Sequence, residues 1–190
     1  MRILVTGGTG FTGKALVKRL HDDGHDVIAL DYKEGVKTEE IRDWGVKVII
    51  GSVTDAAVVK EAMQGVDVVH HLAAAFRELD VSNTYYHEVN VGGAKIVLDA
   101  AVAAGVKRFI YCSTCGVHGN VKNPPANEDA PIAAADYYQQ TKYEAEPLVH
   151  EYQQQGLKTV IVRPAAIYGP GDPERFGMIF RRVAKGSFPI

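Results

Sequence analysis

Three glycines near the start of the chain have the spacing of a phosphate-binding loop. Gly7, Gly10 and Gly13 follow the apolar run 2–5 and precede a stretch with helical periodicity. Glycine at these places permits a tight turn, a close approach of the backbone to a diphosphate, and close packing of helix on strand. The free amides of the helix N-terminus would face the phosphates, and the helix dipole favours the same arrangement. The pattern therefore predicts a dinucleotide-binding loop.

A carboxylate at the end of the second predicted strand discriminates between the two nicotinamide dinucleotides. Asp31 follows the apolar run 26–30, where it can accept hydrogen bonds from the adenine ribose hydroxyls. Its negative charge would repel a 2′-phosphate, so NAD is favoured over NADP, although the nearby Lys33 weakens this preference slightly. The alternative interpretation is an ordinary cap or turn aspartate.

A tyrosine and a lysine stand one helical turn apart in the second half of the chain. Tyr138 and Lys142 are four residues apart, so their side chains lie on one face of a predicted helix. A phenol ordinarily has a pKa of about 10 and is a poor base at neutral pH. We expect the neighbouring ammonium, and a positive nicotinamide ring, to favour phenolate and lower that pKa. Such a pair on an exposed helix face is by itself weak evidence of catalysis.

Alternating strands and helices must position these residues. Apolar runs predict six buried strands at 2–5, 26–30, 47–50, 67–71, 108–112 and 159–163. Helical stretches are predicted at 12–22, 38–43, 56–63, 81–104 and 137–155, most of them closed by a glycine. This order predicts an α/β fold with a doubly wound parallel sheet, a Rossmann domain. The long irregular segment 116–136 should border the crevice at the carboxyl ends of the strands.

The composition excludes several classes of protein. The chain has 190 residues, 46% of them hydrophobic, and a formal net charge of -2, which gives no reason to expect a nucleic-acid or membrane partner. The start of the chain lacks the features of a signal peptide, so we expect a cytoplasmic protein. The seven histidines show no metal-ligand spacing, and no metal is expected. Cys112 and Cys115 are interpreted as small residues at a strand end rather than as a redox pair.

With these residues in place, the chain resembles the extended short-chain dehydrogenase/reductase family, the NAD-dependent epimerases/dehydratases. The likeness extends over nearly the whole chain, with the motifs in the family's order. The segments that carry it are 6–13, His71-Leu72-Ala73-Ala74, Glu88-Val89-Asn90-Val91, Ser113-Thr114 with Gly119, Tyr138-x-x-x-Lys142, and Arg163-Pro164 with 168–172. At His118 the chain departs from the family, which usually has tyrosine there.

The resemblance implies a role for each motif. Tyr138 would remove the substrate hydroxyl proton, Lys142 would also hold the nicotinamide ribose, and Thr114, with Ser113 as the alternate, would hydrogen-bond the substrate oxygen. The expected cofactor-binding residues are Gly7, Gly10, Phe11, Thr12, Gly13, Asp31, Ser52, Val53, Leu72, Ala73, Ala74, Asn90, Tyr138, Lys142 and Pro164. Relatives dimerise through two long helices, which implies a homodimer through 81–104 and 137–155.

Departures from the family pattern narrow the expected reaction. Family dehydratases carry an acidic pair directly after the catalytic threonine, whereas Cys115 and Gly116 follow here, which disfavours sugar dehydration. Ser52 replaces an aspartate that usually reads adenine, and Ala166 replaces an asparagine found in many nucleotide-sugar enzymes. The favoured function is a nucleotide-sugar epimerase, and the alternative is a hydroxysteroid-type or other alcohol dehydrogenase.

The C-terminal part of the chain leads to a third interpretation, of another class. Family members are usually considerably longer, and the resemblance implies that their C-terminal part supplies most of the substrate pocket. We expect residues 1–172 to form the NAD-binding domain with the catalytic Tyr/Lys pair, and residues 173–190 to begin a truncated substrate-binding region. The chain would then be an NAD-binding module without full catalysis.

Overall fold

Six short strands form one parallel sheet in the computed structural model, which describes residues 1–35, 38–76, 81–172 and 176–187. The strands are β1 (Arg2–Thr6), β2 (Asp26–Asp31), β3 (Lys47–Ile50), β4 (Val68–His71), β5 (Arg108–Cys112) and β6 (Thr159–Val162). Their order across the sheet is β3-β2-β1-β4-β5-β6, and every pairing is parallel. The predicted parallel sheet is confirmed, and the strand bounds differ from the predicted ones by at most one residue.

Eight α-helices connect or follow the strands within the described residues. They are α1 (Phe11–Asp22), α2 (Thr38–Asp43), α3 (Ala56–Ala62), α4 (Asn83–His87), α5 (Gly93–Ala103), α6 (Tyr137–Glu144), α7 (Glu146–Gln154) and α8 (Phe176–Ala184). A π-helical turn spans Glu88–Gly92, and a 3-10 turn spans Cys115–His118. No helix in this part of the chain combines the length and apolar character that crossing a membrane requires.

The central strands of the sheet are buried on both faces. The prediction of six buried strands is wrong for the edge strands, because Ile50 of β3 and Val160 and Val162 of β6 have exposed side chains. Ile3 and Val5 pack with the α1 and α2 side chains on one face, and Leu4 packs with the larger cluster on the other. Successive strand residues point to opposite faces, so an almost wholly apolar strand requires cover on both. The helices change face between β1 and β4, which are neighbours in the sheet. Such a switch point opens a crevice at the carboxyl ends of the strands.

Two helices that the sequence predicts as continuous are interrupted. The predicted helix 81–104 consists of α4, the π-helical turn and α5, and the predicted helix 137–155 divides at Ala145 into α6 and α7. The second division has a local cause, because Pro147 at the start of α7 lacks an amide hydrogen and its ring crowds the carbonyl one turn earlier. Of the predicted substrate-binding region 173–190, residues 173–175 and 188–190 lie outside the described residues.

Candidate active site and cofactor crevice

A crevice of about 1730 Å³ lies along the carboxyl ends of the strands. It is lined by most residues that the sequence predicts for the site: Gly7, Gly10, Phe11, Thr12, Gly13, Asp31, Ser52, Val53, Leu72, Ala73, Ala74, Thr114, Tyr138 and Pro164. Lys142 and Asn90 lie beneath its surface, each almost fully buried. Within the described residues, no group of three or more His, Cys, Asp or Glu side chains is arranged to hold a metal ion.

The glycine loop brings the backbone into contact with the start of α1. A Cβ built on Gly13 would lie 1.9 Å from the carbonyl oxygen of Gly7, so no other residue fits there without displacing the loop. Gly7 itself has φ +70, and a Cβ there would lie 2.9 Å from the amide nitrogen of Ala73. The N-terminus of α1 has no side-chain cap. Its first amides are therefore available to a phosphate, which the positive end of the helix attracts.

Asp31 is part of the loop structure as well as of the crevice wall. Its Oδ2 accepts hydrogen bonds from the Thr9 amide at 3.0 Å and the Thr9 hydroxyl at 2.8 Å, and its Oδ1 accepts one from the Tyr32 amide at 2.9 Å. These contacts are those of a cap or turn aspartate, which was the alternative interpretation of Asp31. A carboxylate has about four lone-pair sites, so acceptor capacity remains for the hydroxyls of a ribose.

Serine and small apolar residues complete the cofactor side of the crevice. The Ser52 hydroxyl pairs with the Thr54 hydroxyl at 2.8 Å, next to the buried Val53. On the other wall, the amide of Ala73 donates to the Thr6 hydroxyl at 3.2 Å, which fixes the segment after β4 against β1. Between these contacts, Val53, Leu72, Ala73 and Ala74 provide an apolar surface for a planar base.

The lysine of the catalytic pair is buried without a hydrogen-bond partner. Lys142 is 1% exposed, and its Nζ lies 4.3 Å from the centroid of the Tyr111 ring with no hydrogen bond to any described residue. Burial lowers the pKa of Lys142 to about 8. A buried ammonium in this state is costly unless a ligand satisfies it. The hydroxyls of a bound nicotinamide ribose would do so, and the residues present therefore fit NAD.

The phenol of Tyr138 has a raised pKa in the chain without its cofactor. Burial, together with the Cys112 and Asp136 side chains, raises the pKa of Tyr138 to about 12. The ring of Phe76 packs against the phenol at a centroid distance of 4.7 Å and contributes to this dry environment. The sequence predicts a lowered pKa from two charges acting together, the Lys142 ammonium and the nicotinamide ring. In the chain by itself, Lys142 is not among the groups that shift the pKa of Tyr138. At neutral pH the phenol is therefore protonated.

Two hydroxyls compete for the third catalytic position, and both residues line the crevice. They differ in whether the hydroxyl proton is already donated within the chain. Ser113 is 2% exposed, and its hydroxyl donates to Glu146 Oε1 at 2.5 Å. Thr114 lines the crevice, where its Oγ1 accepts a hydrogen bond from the Gly116 amide at 3.1 Å. Since that bond uses only a lone pair, the Thr114 hydroxyl proton can be donated to a substrate oxygen. This geometry supports Thr114 over Ser113.

Asn90 has a different place from the one that the sequence predicts. Its side chain is fully buried, where it bonds the amide of Ala75 at 2.7 Å, the carbonyl of Ala75 at 3.2 Å and the Thr141 hydroxyl at 2.9 Å. Asn90 therefore joins the segment after β4 to the helix that carries Tyr138, and it does not line the crevice. The π-helical turn at this point, which sequence periodicity does not reveal, carries the amide inward.

The sequence does not predict a partly buried ion pair that lies beside the site. Glu146, at the start of α7, is 2% exposed and pairs with Arg163 at 2.5 Å. Arg163 belongs to the motif Arg163-Pro164, but no sequence feature connects it to Glu146, which is 17 residues away.

His71 is also buried, and burial together with the Lys142 charge lowers its pKa to about 3. The two cysteines are free thiols.

Comparison with known proteins agrees with this geometry. The model of the NAD dependent epimerase/dehydratase family matches residues 3–187. The chain belongs to this family. A 3 beta-hydroxysteroid dehydrogenase/Delta 5-->4-isomerase of Mycobacterium tuberculosis is 35% identical over 100% of this chain and 53% of its own length. A UDP-glucose 4-epimerase of Vibrio cholerae is 34% identical over 97% of this chain and 57% of its own.

A solved structure shares the same fold. The dTDP-glucose 4,6-dehydratase of Streptomyces venezuelae, crystallised with NAD, superposes with a TM-score of 0.86 at 28% identity, covering 98% of this chain and 63% of that protein. The family is NAD-dependent, and the relatives named here are enzymes. The chain spans little more than half the length of the curated relatives it matches.

Proposed function

We propose that this chain binds NAD in the crevice and supports hydride transfer between a secondary alcohol or ketone and the nicotinamide. The observation that carries the proposal is the buried, unpartnered ammonium of Lys142 one helical turn from a crevice-lining tyrosine. Family membership supports the same function. NAD, when bound, supplies the hydride acceptor or donor.

Each residue has one task in this proposal. The amides of the glycine loop bind the diphosphate, Asp31 accepts hydrogen bonds from the adenine ribose, and Lys142 donates to the nicotinamide ribose. Thr114 donates a hydrogen bond to the substrate oxygen as charge changes there. Tyr138 transfers the proton, taking it from the hydroxyl in oxidation and giving it to the carbonyl oxygen in reduction.

The environment of Tyr138 favours one protonation state before the cofactor binds. A phenol whose pKa is raised to about 12 holds its proton at neutral pH, so it can donate to a carbonyl oxygen. Oxidation requires phenolate, which the positive nicotinamide ring would favour. We therefore expect reduction to tolerate a lower pH than oxidation.

For the substrate, the first candidate remains a nucleotide sugar interconverted by epimerisation, in line with the epimerase relative. The second candidate is a hydroxysteroid-like alcohol, favoured by the apolar substrate edge, where Phe76, Tyr86, Tyr137, Ala166 and Ile167 line the crevice. An epimerase retains NAD through both half-reactions, whereas a dehydrogenase releases NADH. Incubation with UDP-glucose or with a 3β-hydroxysteroid, read by NADH fluorescence, separates the two.

The third alternative is that the chain is an NAD-binding module of the larger fold. Such a module would bind NAD without turning over a substrate. We infer that residues 1–172 form the NAD-binding unit and that 173–190 belong to the substrate-binding region. Calorimetric titration with NAD and with NADP tests the proposal, and we expect NAD to bind more tightly. Binding without turnover of either substrate class would favour the module, and absence of NAD binding would refute the proposal.

The assembly and location of the protein are further parts of the proposal. We infer a homodimer through the α4–α5 and α6–α7 segments, as the family resemblance implies, and a cytoplasmic location. Light scattering would show a mass of twice 20.6 kDa. A monomer at working concentration would contradict the assembly without affecting the proposed chemistry.

A further inference from the structure

The ion pair of the buried Glu146 with the partly exposed Arg163 joins the ends of two neighbouring strands. Glu146 accepts hydrogen bonds from Arg163 Nε at 3.0 Å and Nη2 at 2.5 Å, and from the Ser113 hydroxyl at 2.5 Å. Ser113 follows β5 directly, and Arg163 follows β6 directly. Because a two-pronged arginine–carboxylate contact has a fixed planar geometry, it restrains both strand ends in direction as well as distance.

The restrained residues are the immediate neighbours of residues that line the crevice. Thr114 follows Ser113, and Pro164 follows Arg163. The two segments also bond each other, since the Cys115 amide donates to the Pro164 carbonyl at 3.0 Å. Any movement of the ion pair would therefore be transmitted to the Thr114 hydroxyl.

The same arginine holds the long loop 119–136. Its Nη1 lies 3.0 Å from His118 Nε2 and 3.0 Å from the carbonyl oxygen of Glu128, to which it donates. Since a guanidinium can only donate, His118 Nε2 must accept, and the proton of the neutral ring lies on Nδ1. That Nδ1 then donates to the Pro131 carbonyl at 3.3 Å. His118, where the family usually has tyrosine, thus acts as a bridge between the arginine and the loop.

We propose that Glu146 and Arg163 are positioning residues that hold the Thr114 hydroxyl at the reaction centre, and that His118 extends this restraint to the loop at the substrate edge. The role of Thr114 in this inference rests on the proposed function. The restraint itself is a property of the chain without cofactor or substrate and can be measured separately.

Amide hydrogen exchange measures the restraint directly. In Glu146→Gln one carboxylate oxygen becomes an NH₂ group, which cannot accept from Arg163 or Ser113. We expect exchange at the Cys115 and Gly116 amides to accelerate on the order of tenfold, because local opening becomes easier. Exchange at Lys14, in the first turn of α1, should not change. Glu151→Gln, on the exposed side of the same helix, is the matched control and should leave all three amides unchanged.

The outcomes of this measurement separate positioning from general stability. Uniform acceleration throughout the sheet, or no acceleration at Cys115 and Gly116, would overturn the proposal. If Glu146→Gln does not fold, Ser113→Ala removes only one hydroxyl from the network. A smaller acceleration at the same two amides is then expected, and its absence is equally decisive.

Kinetics provide the second readout once a substrate is turned over. Glu146→Gln should lower kcat on the order of tenfold to a hundredfold, as misplaced catalytic groups do, with the Kd for NAD within about twofold of the original. Glu146→Asp keeps the charge and should restore part of the loss. An unchanged kcat in folded Glu146→Gln would refute the positioning role. Failure of the original chain to bind NAD would refute the proposed function instead, and the exchange measurement would still test the restraint.

Discussion

Replacing Lys142 by methionine should make the protein more stable while it removes the cofactor site's key contact. Lys142 is 1% exposed, and its ammonium has no hydrogen bond to any described residue. Methionine has a similar length and no charge to desolvate. The buried ammonium of Lys142 therefore lowers the free energy of unfolding, which an apolar side chain of similar size would not do.

The magnitude of this penalty follows from the pKa. Burial lowers the pKa of Lys142 from 10.5 to about 8, which corresponds to a free-energy penalty of about 3 kcal/mol in the folded state. The cation–π contact with Tyr111, 4.3 Å from Nζ to the ring centroid, offsets up to about 2 kcal/mol of it. We therefore expect Lys142→Met to raise the free energy of unfolding at pH 7 by about 1–3 kcal/mol.

The stability difference between Lys142→Met and the original chain should change with pH in a definite direction. Below pH 8 the lysine is protonated in both folded and unfolded chains, so the penalty is complete. Between about 8 and 10.5 the unfolded chain binds more protons than the folded one, so the original protein gains stability as the pH rises. The advantage of Lys142→Met should therefore be largest at neutral pH and shrink toward pH 10.5.

Urea unfolding followed by circular dichroism measures both quantities. Curves at about pH 7 and about pH 9.5 for the original chain, Lys142→Met and the exposed-site control Lys158→Met provide the comparison. The control should change stability by less than about 0.5 kcal/mol. A Lys142→Met variant that is equally or less stable at pH 7, or whose advantage grows with pH, would refute the reasoning.

Four further substitutions test other parts of the site. Tyr138→Phe should abolish turnover while leaving the Kd for NAD within about twofold, because the ring remains and only the transferable proton is lost; steady-state kinetics that retain turnover would contradict its role. Gly13→Ala places a Cβ 1.9 Å from the Gly7 carbonyl oxygen, and calorimetry should show NAD affinity reduced at least about tenfold. Asp31→Ala removes the charge that opposes a 2′-phosphate, so the ratio of NADP to NAD affinity should rise; an unchanged ratio would assign Asp31 to the loop alone. Asn90→Ala should lower the free energy of unfolding by about 1–3 kcal/mol in urea titration, since it leaves buried polar groups unpaired.

Local patterns predicted the parts of the molecule that depend on neighbours in sequence. The strands are apolar runs, and the glycine loop needs small residues at fixed spacing, so both were visible in the chain itself. That the edge strands β3 and β6 keep exposed side chains was not visible, because it depends on which strands lie at the edges of the sheet. Pro147 was also visible and could have divided the predicted helix 137–155. The corresponding interruption before α5 could not be seen, because sequence periodicity does not reveal the π-helical turn that carries the Asn90 amide inward to Ala75.

Tertiary contacts explain what the sequence could not predict. The pKa of Tyr138 depends on how deeply folding buries its phenol, and the spacing to Lys142 says nothing about burial. The pairing of Glu146 with Arg163 requires α7 and β6 to pack side by side. Ser113 and Thr114 are adjacent and chemically alike, and only the orientation of each hydroxyl distinguishes them.

A crystal structure of the chain with bound NAD is the most direct test of the account. We expect the diphosphate at the amides of α1, the nicotinamide beside Tyr138, and Lys142 Nζ within hydrogen-bond distance of the nicotinamide ribose hydroxyls. NAD bound elsewhere, or bound in the crevice while Lys142 Nζ still lacks a partner, would contradict it.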